Sequence, residues 1–334
     1  MRVLKAKSIY HHDWRDSRHR ANLHLKGEQQ LISMIERGSS VAASFKTVGI
    51  IGKFRDTTVG ETISIVHEIL EQRGCTVLLD EVSAMFLPEL TMQVADRDEI
   101  GEQADLVIVV GGDGTFLNAA RTMNDYDVPL LGINLGRLGF LTDIHSEKIS
   151  GRLNAILDGE YVEEERFLLH GRFEYEHNDG EISSSDAFND IIVHKGHVAR
   201  MIELDLYING QYVNTQRADG LIVSTPTGST AYSLSGGGPI LHPGLDAIVL
   251  VPICPHTMSQ RPIVIDADSE IEIRVSDKNY GDALVTCDGQ LNVNLGIGDC
   301  VRITKKKTPV LLIHPADYNY YEILRQKLHW GHRL

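Results

Sequence analysis

Cysteine, basic charge and long apolar runs are all scarce in this chain. Four cysteines, Cys75, Cys254, Cys287 and Cys300, stand among 334 residues with no C-x-x-C spacing. That excludes a disulfide scaffold and reads as free thiols of a reducing, cytoplasmic setting. Lys and Arg number 32 against 46 Asp and Glu, for a formal net charge of −14. A field of that sign repels nucleic acid and anionic membrane surfaces, so neither is an expected partner. No apolar run approaches a membrane-spanning helix, and the N-terminus lacks the apolar core of a secretory signal. Familiar motifs are missing too. Gly52-Lys53 follows Gly49 at the wrong spacing for a Walker A loop, and Phe54 stands where Ser or Thr belongs. The Rossmann fingerprint fails because Leu117 occupies the third glycine position after Gly112 and Gly114. Protein-kinase signatures, H-E-x-x-H and G-x-S-x-G are absent. The two commonest ways of holding ATP or a dinucleotide are therefore excluded.

What remains is an ordinary globular composition, 42% hydrophobic and 23% charged, in a chain long enough for two cores. Residues 1–45 stand apart. They are rich in His and Arg and poor in apolar residues; a basic arm for a polyanion is one reading, and a loosely ordered extension or an upstream start is the favoured one. Ordered structure is expected from Thr47. Val48 to Ile51, Cys75 to Leu79, Leu106 to Val110 and Leu130 to Ile133 read as strands. Val59 to Arg73 reads as an amphipathic helix stopped by Gly74. Strands alternating with helices predict a doubly wound parallel sheet over 46–158. From 159 to 310 the pattern changes. Ile202, Leu204, Leu206 and Ile208 alternate with polar residues, as do Ile271, Ile273 and Val275, and Asn209-Gly210 and Asp288-Gly289 are hairpin turns. The expectation is an α+β chain of two domains: a Rossmann-like α/β domain and a mainly antiparallel, β-rich one. A last segment, 311–334, ends in a short helix from Tyr318 to Leu328.

The most informative run is Leu106 to Val110 followed by Gly111-Gly112-Asp113-Gly114 and a helical pattern. Open α/β sheets bind ligands at the carboxyl ends of such strands. The glycines let backbone N–H groups approach an anionic oxygen, and a helix start adds a favourable dipole. A carboxylate there repels phosphate, so Asp113 points to a metal ion or to a proton to be abstracted. The bland alternative is an Asp that caps the following helix. Elsewhere, Thr225 to Pro239 is dense in hydroxyls and glycines around Tyr232, a composition suited to wrapping a polar ligand. Asn189-Asp190 suits sugar hydroxyls or simply begins a strand. Asp219, Arg200, Arg217 and Gln290 read alone as turn or surface residues.

Taken in order, these pieces resemble the NAD kinases, in a form similar to proteobacterial members. The matching stretches are Gly111 to Gly114, Gly132-Ile133-Asn134 with Gly139 to Asp143, and Asn189-Asp190. Then come Asp219 to Pro239 (DGLIVSTPTGSTAYSLSGGGP), Pro255-His256-Thr257, Arg261-Pro262, Cys287 to Gln290 and His314-Pro315. They span residues 46 to 330. The resemblance implies transfer of the γ-phosphoryl of ATP to the 2′-hydroxyl of the adenosine ribose of NAD, with Mg²⁺ or another divalent cation. It implies Asp113 as proton acceptor beside Gly112 and Gly114. It also implies nucleotide contacts at Asn189, Asp190, Arg200, Arg217, Asp219, Thr230, Ala231, Tyr232, Ser233, Leu234, Ser235 and Gln290, and a homo-oligomer, dimer or tetramer. The pair here is Asn-Asp where many relatives carry Asn-Glu. Lipid kinases of the diacylglycerol type and 6-phosphofructokinases share the Gly-Gly-Asp-Gly loop but are not expected to carry Thr225 to Pro239. A non-catalytic dinucleotide sensor is the reading from outside enzymes.

Overall fold

Short runs of β-branched residues become buried parallel strands where helices can cover both faces. That is the arrangement of the first sheet in the computed structural model. It describes residues 45–330, apart from 54–58, 86, 88–91, 137–138, 177–181, 197–199 and 280. The extension up to residue 44 thus lies outside the described residues. Seven strands open the chain: β1 (Thr47–Gly52), β2 (Thr76–Asp80), β3 (Gln93–Ala95), β4 (Leu106–Gly111), β5 (Leu130–Asn134), β6 (Ile144–His145) and β7 (Tyr161–Arg166). Between them run α1 (Val59–Gln72), the single turn α2 (Glu81–Ala84), α3 (Arg97–Gln103), α4 (Asp113–Met123) and α5 (Ile149–Leu157). Val59, Ile63, Val66 and Leu70 put one buried stripe on α1, as its spacing predicts. Gly74 closes the helix as expected: its N–H bonds Glu71, and Cys75 N–H reaches back to Leu70.

The second half is antiparallel, as the alternating pattern predicts. Its strands are β8 (Leu169–Glu174), β9 (Ile182–Ala187), β10 (Asp190–His194), β11 (Ile202–Ile208), β12 (Gln211–Ala218) and β13 (Gly220–Ser224). A one-turn helix, α6 (Tyr232–Ser235), precedes β14 (Ala247–Ile253), β15 (Ile263–Asp266), β16 (Ile271–Val275), β17 (Ala283–Cys287), β18 (Leu291–Leu295) and β19 (Cys300–Lys305). They form two six-stranded sheets, ordered β15-β14-β13-β10-β17-β18 and β12-β11-β16-β19-β8-β9. Ile191, Val193, Leu221 and Val223 from the one and Leu204, Ile273, Val301 and Ile303 from the other share a core. Both predicted hairpin turns are present, with positive φ at Asn209 and Gly210 and at Asp288 and Gly289.

One strand then leaves for the other half. β20 (Val310–Pro315) enters the first sheet, parallel to β5 and antiparallel to β7, giving the order β3-β2-β1-β4-β5-β20-β7. The C-terminal helix α7 (Tyr320–Lys327) follows it. The order reverses between β1 and β4, so the crevice beyond their carboxyl ends is where ligands bind such sheets.

Candidate active site

β4 ends at Gly111 and α4 begins two residues later, so Asp113 stands in the first turn of the helix at the switch point. The capping alternative fails: the N-cap is Gly112, and no side chain caps this helix. The Asp113 carboxylate turns instead to the loop after β5. Oδ2 accepts from Phe140 N at 3.0 Å and Oδ1 from Leu141 N at 3.1 Å. Each oxygen keeps a second lone pair for another donor. The approach is close enough that a side chain at residue 139 cannot fit without displacing the Asp113 carboxylate. A Cβ added to Gly139 would run into Asp113 Oδ1 and would lie 2.6 Å from Thr142 Oγ1. The loop is itself held from beneath: buried Asn134 donates to Thr142 Oγ1 at 2.6 Å and accepts from Gly136 N at 2.7 Å.

A cleft of about 250 Å³ opens over this carboxylate, lined by Lys53, Gly111, Gly112, Asp113, Asn134, Leu135, Gly136, Gly139 and Lys327. Lys53 follows β1, across the switch point. Lys327 comes from the far end of the chain, its Nζ 5.9 Å from the Phe140 ring centroid. The cleft therefore holds two lysines in an acidic protein, which makes it a local attractor for anions.

A second arm joins this loop to the β-rich half. Asp288, in the β17–β18 turn, has a side chain with 0% exposure and forms an ion pair with Arg121 of α4 at 2.7 Å. Its carboxylate also receives three consecutive backbone N–H groups: Phe188 at 3.0 Å, Asn189 at 2.7 Å and Asp190 at 3.3 Å. Gln290 accepts from Arg121 at 2.6 Å and donates to Gly114 O at 3.0 Å. Asn189 O accepts from Thr225 N at 2.9 Å, and Gly228 packs so tightly that an added Cβ would strike Asn189 O. Gly114 is thus linked through Gln290, Arg121 and Asp288 to Asn189 and Asp190, and through Asn189 to Thr225. Asp190 is 3% exposed, and burial, with Asp288 nearby, pushes its carboxyl up to about 7.

Other expected site residues are spread more widely. Asp219, between β12 and β13, pairs with Lys195 at 2.7 Å. Arg217 is exposed on β12 opposite Glu203, and Arg200 is exposed just before β11. In the hydroxyl-rich segment, several hydroxyls already bond backbone carbonyls of the protein. Thr225 Oγ1 donates to Phe188 O, Ser229 Oγ to Pro226 O, and Thr230 Oγ1 to Thr227 O. Ser233 is buried with its hydroxyl unpaired, whereas Tyr232 is 48% exposed. Sequence reasoning gave no site role to Lys53, Arg121 or Lys327, and none to Asn134 and Asp288 beyond their place in the matching stretches. Asp288 carried a signal as the first residue of a two-residue turn. Arg121 carried none, because a surface arginine on a helix looks the same with or without a distant partner. Among the described residues no cluster of three or more His, Cys, Asp or Glu is placed to hold a metal by side chains alone. No described helix is long and apolar enough to cross a membrane.

A sequence profile of the ATP-NAD kinase N-terminal domain matches residues 48–161, and one of the C-terminal domain matches residues 188–315. The chain is 49% identical over 294 residues to the NAD kinase of Nitrosococcus oceani, spanning 88% of this chain and 100% of that protein. It is 51% identical over 290 residues to that of Azotobacter vinelandii, spanning 87% and 98%. Among solved structures, yeast NADH kinase complexed with NADH superposes with a TM-score of 0.80 at 23% identity, over 87% of this chain and 89% of that one. That likeness concerns the fold. The NAD kinase from Archaeoglobus fulgidus in complex with ATP gives 0.65 at 27%, over 85% and 98%.

Proposed function

The chain belongs to the ATP-NAD kinase family, and from that premise we propose how its residues divide the work. It is a phosphotransferase that moves the γ-phosphoryl of ATP to the 2′-hydroxyl of the adenosine ribose of NAD, giving NADP and ADP. A ribose hydroxyl is a poor nucleophile at neutral pH and needs a positioned base. In our reading Asp113 is that base. As the ribose oxygen bonds to the γ-phosphorus and the bond to the ADP oxygen breaks, the hydroxyl proton passes to a free lone pair of the carboxylate. The single observation that carries this is the clamp: both oxygens are fixed by Phe140 N and Leu141 N, yet both can still accept.

Phosphoryl transfer has a loose transition state, so alignment and charge neutralisation supply most of the rate. Gly112, Lys53 and Lys327, which line the cleft, would face the phosphates, with Gly114 next in the chain to Asp113. Asn189 and Asp190 would take the ribose hydroxyls. Arg200, Arg217, Asp219, the segment Thr230 to Ser235 and Gln290 would take the rest of NAD. A divalent cation would arrive on ATP. Mg²⁺ usually keeps phosphate and water ligands and at most one or two carboxylates, which suits a cleft in which Asp113 is the carboxylate among the described lining residues. It would neutralise phosphate charge. We also infer a cytoplasmic homo-oligomer. Apolar side chains exposed on the edge strands, Tyr212 and Val213 of β12 and Ile263 and Val264 of β15, support assembly; light scattering of the purified protein measures it.

Purified protein given NAD, ATP and Mg²⁺ should form NADP, identified chromatographically. Asp113→Asn should lower kcat by about 10²–10⁴-fold while NAD still binds. Near-normal kcat in the variant rejects the base. Unchanged kcat with weakened NAD binding reassigns Asp113 to binding.

A further inference from the structure

His314 lies on β20, the strand that returns from the β-rich half, and it is 2% exposed. Its two ring nitrogens face different carboxylates. Nδ1 bonds Asp143 Oδ2, and Nε2 bonds Glu164 Oε2 at 3.0 Å. The ring stacks on Tyr318, with centroids 3.9 Å apart and planes 16° from parallel. Arg166, also buried, donates to Glu164 at 2.7 Å and to the Tyr318 hydroxyl at 3.0 Å. Asp143, Glu164, Arg166 and an imidazolium at 314 sum to zero charge, the condition a buried cluster has to meet. Burial opposes the imidazolium, but the bonds to Asp143 and Glu164 outweigh it and raise the His314 pKa.

Asp143 ends the loop that clamps Asp113. Its side chain is 8% exposed, its Oδ1 has no partner, and its other oxygen bonds His314. Two residues earlier, Leu141 N holds Asp113 Oδ1. Among the described residues of the loop, Asn134 anchors Thr142 and His314 anchors Asp143. Glu164 and Arg166 sit on β7, which has β20 as its neighbour at the edge of the sheet. The Nε2 side of the ring therefore faces the frame, and the Nδ1 side faces the clamp.

We propose that His314 is a positioning residue for phosphoryl transfer: through Nδ1 it fixes Asp143, and with it the loop whose N–H groups aim the Asp113 carboxylate. The proposal rests on Asp113 being the base. Misplacing a reacting group by about 1 Å can cost on the order of 100-fold in rate, so a slackened loop has a measurable signature.

The two nitrogens can be tested separately. In His314→Asn the amide nitrogen stands near the Nδ1 position, and in His314→Gln near the Nε2 position. Both lose the ring stacking and the positive charge, so both should lose thermal stability to a similar degree. His314→Asn keeps the donor to Asp143 and should stay within roughly threefold of wild-type kcat. His314→Gln keeps only the donor to Glu164 and should lose about 10- to 100-fold in kcat with KM for NAD little changed. Equal kcat in the two variants overturns the proposal, because a purely structural histidine makes no such distinction. If His314→Gln does not fold, Asp143→Ala removes the same bond from the other side and Asp143→Asn preserves an acceptor for it. A large kcat difference within that pair supports the role, and its absence overturns it. Asp113→Asn is run alongside. An active Asp113→Asn enzyme sinks the base itself, whereas an inactive one beside equivalent His314 variants sinks only the positioning role.

Discussion

NAD binding should depend on pH near neutrality if Asp190 contacts the ribose as proposed. Burial, with the second carboxylate of Asp288 nearby, pushes the carboxyl up from the ordinary carboxylate range to about 7. If it accepts ribose hydroxyls as an anion, only the ionised fraction is competent. With a pKa of about 7 that fraction is about one-tenth at pH 6 and about nine-tenths at pH 8, so KM for NAD should fall roughly tenfold across the interval. Saturating ATP and initial rates at half-unit pH steps give the curve. Asp190→Asn should flatten it and, at pH 8, weaken NAD by the worth of a charge-assisted hydrogen bond, about 1.5–3 kcal/mol. Stability should move the other way. The folded pKa is raised, so the stability this group contributes is complete below about 4, declines as pH rises, and is lost above about 7. The displacement from 3.8 to about 7 sets an upper limit on the order of 4 kcal/mol. Asp190→Asn should therefore melt higher than wild type at pH 8 and at nearly the same temperature at pH 4. A KM for NAD that is flat between pH 6 and 8 in wild type, or identical in Asp190→Asn, refutes the substrate contact.

Gly139→Ala places a methyl against Asp113 Oδ1 and Thr142 Oγ1; stopped assays should show kcat down at least tenfold with an unaltered far-UV circular dichroism spectrum. Arg121→Met leaves the buried Asp288 carboxylate without its guanidinium, and should cost about 3–5 kcal/mol in urea unfolding. The double variant Arg121→Met/Asp288→Asn should recover part of that loss, and no recovery argues that the pair is not coupled.

The parts legible in the sequence were those written in local period. Val48 to Ile51, Leu106 to Val110 and Leu130 to Ile133 announce buried parallel strands because each residue of the run must be apolar. The alternation at Ile202 to Ile208 announces a strand with one covered face. Asn209-Gly210 and Asp288-Gly289 announce turns because few other pairs accept positive φ at both positions. Asp113 was legible as a carboxylate out of place among glycines, but its clamp was not, since backbone N–H groups leave no trace in residue type. Arg121 and Asp288 are 167 positions apart, and nothing local to either marks the other. The Thr225 to Pro239 run read as a set of ligand donors, yet Thr225 bonds the carbonyl of distant Phe188, and Ser229 and Thr230 bond carbonyls within their own loop. A hydroxyl satisfied within its own loop and one reserved for a ligand look alike on paper.

The late return of β20 sets a condition on how the protein is made. A ribosome delivers β1 to β5 first, but β5 then has an open edge where β20 will lie, and β7 has no partner until β20 arrives. Nearly the whole β-rich half must be synthesised in between. The nascent α/β half therefore waits with an unpaired edge, the kind of surface on which strands from other chains add. A chain that stops after β7 and before Val310 would leave that sheet unfinished, its open edge an aggregation hazard.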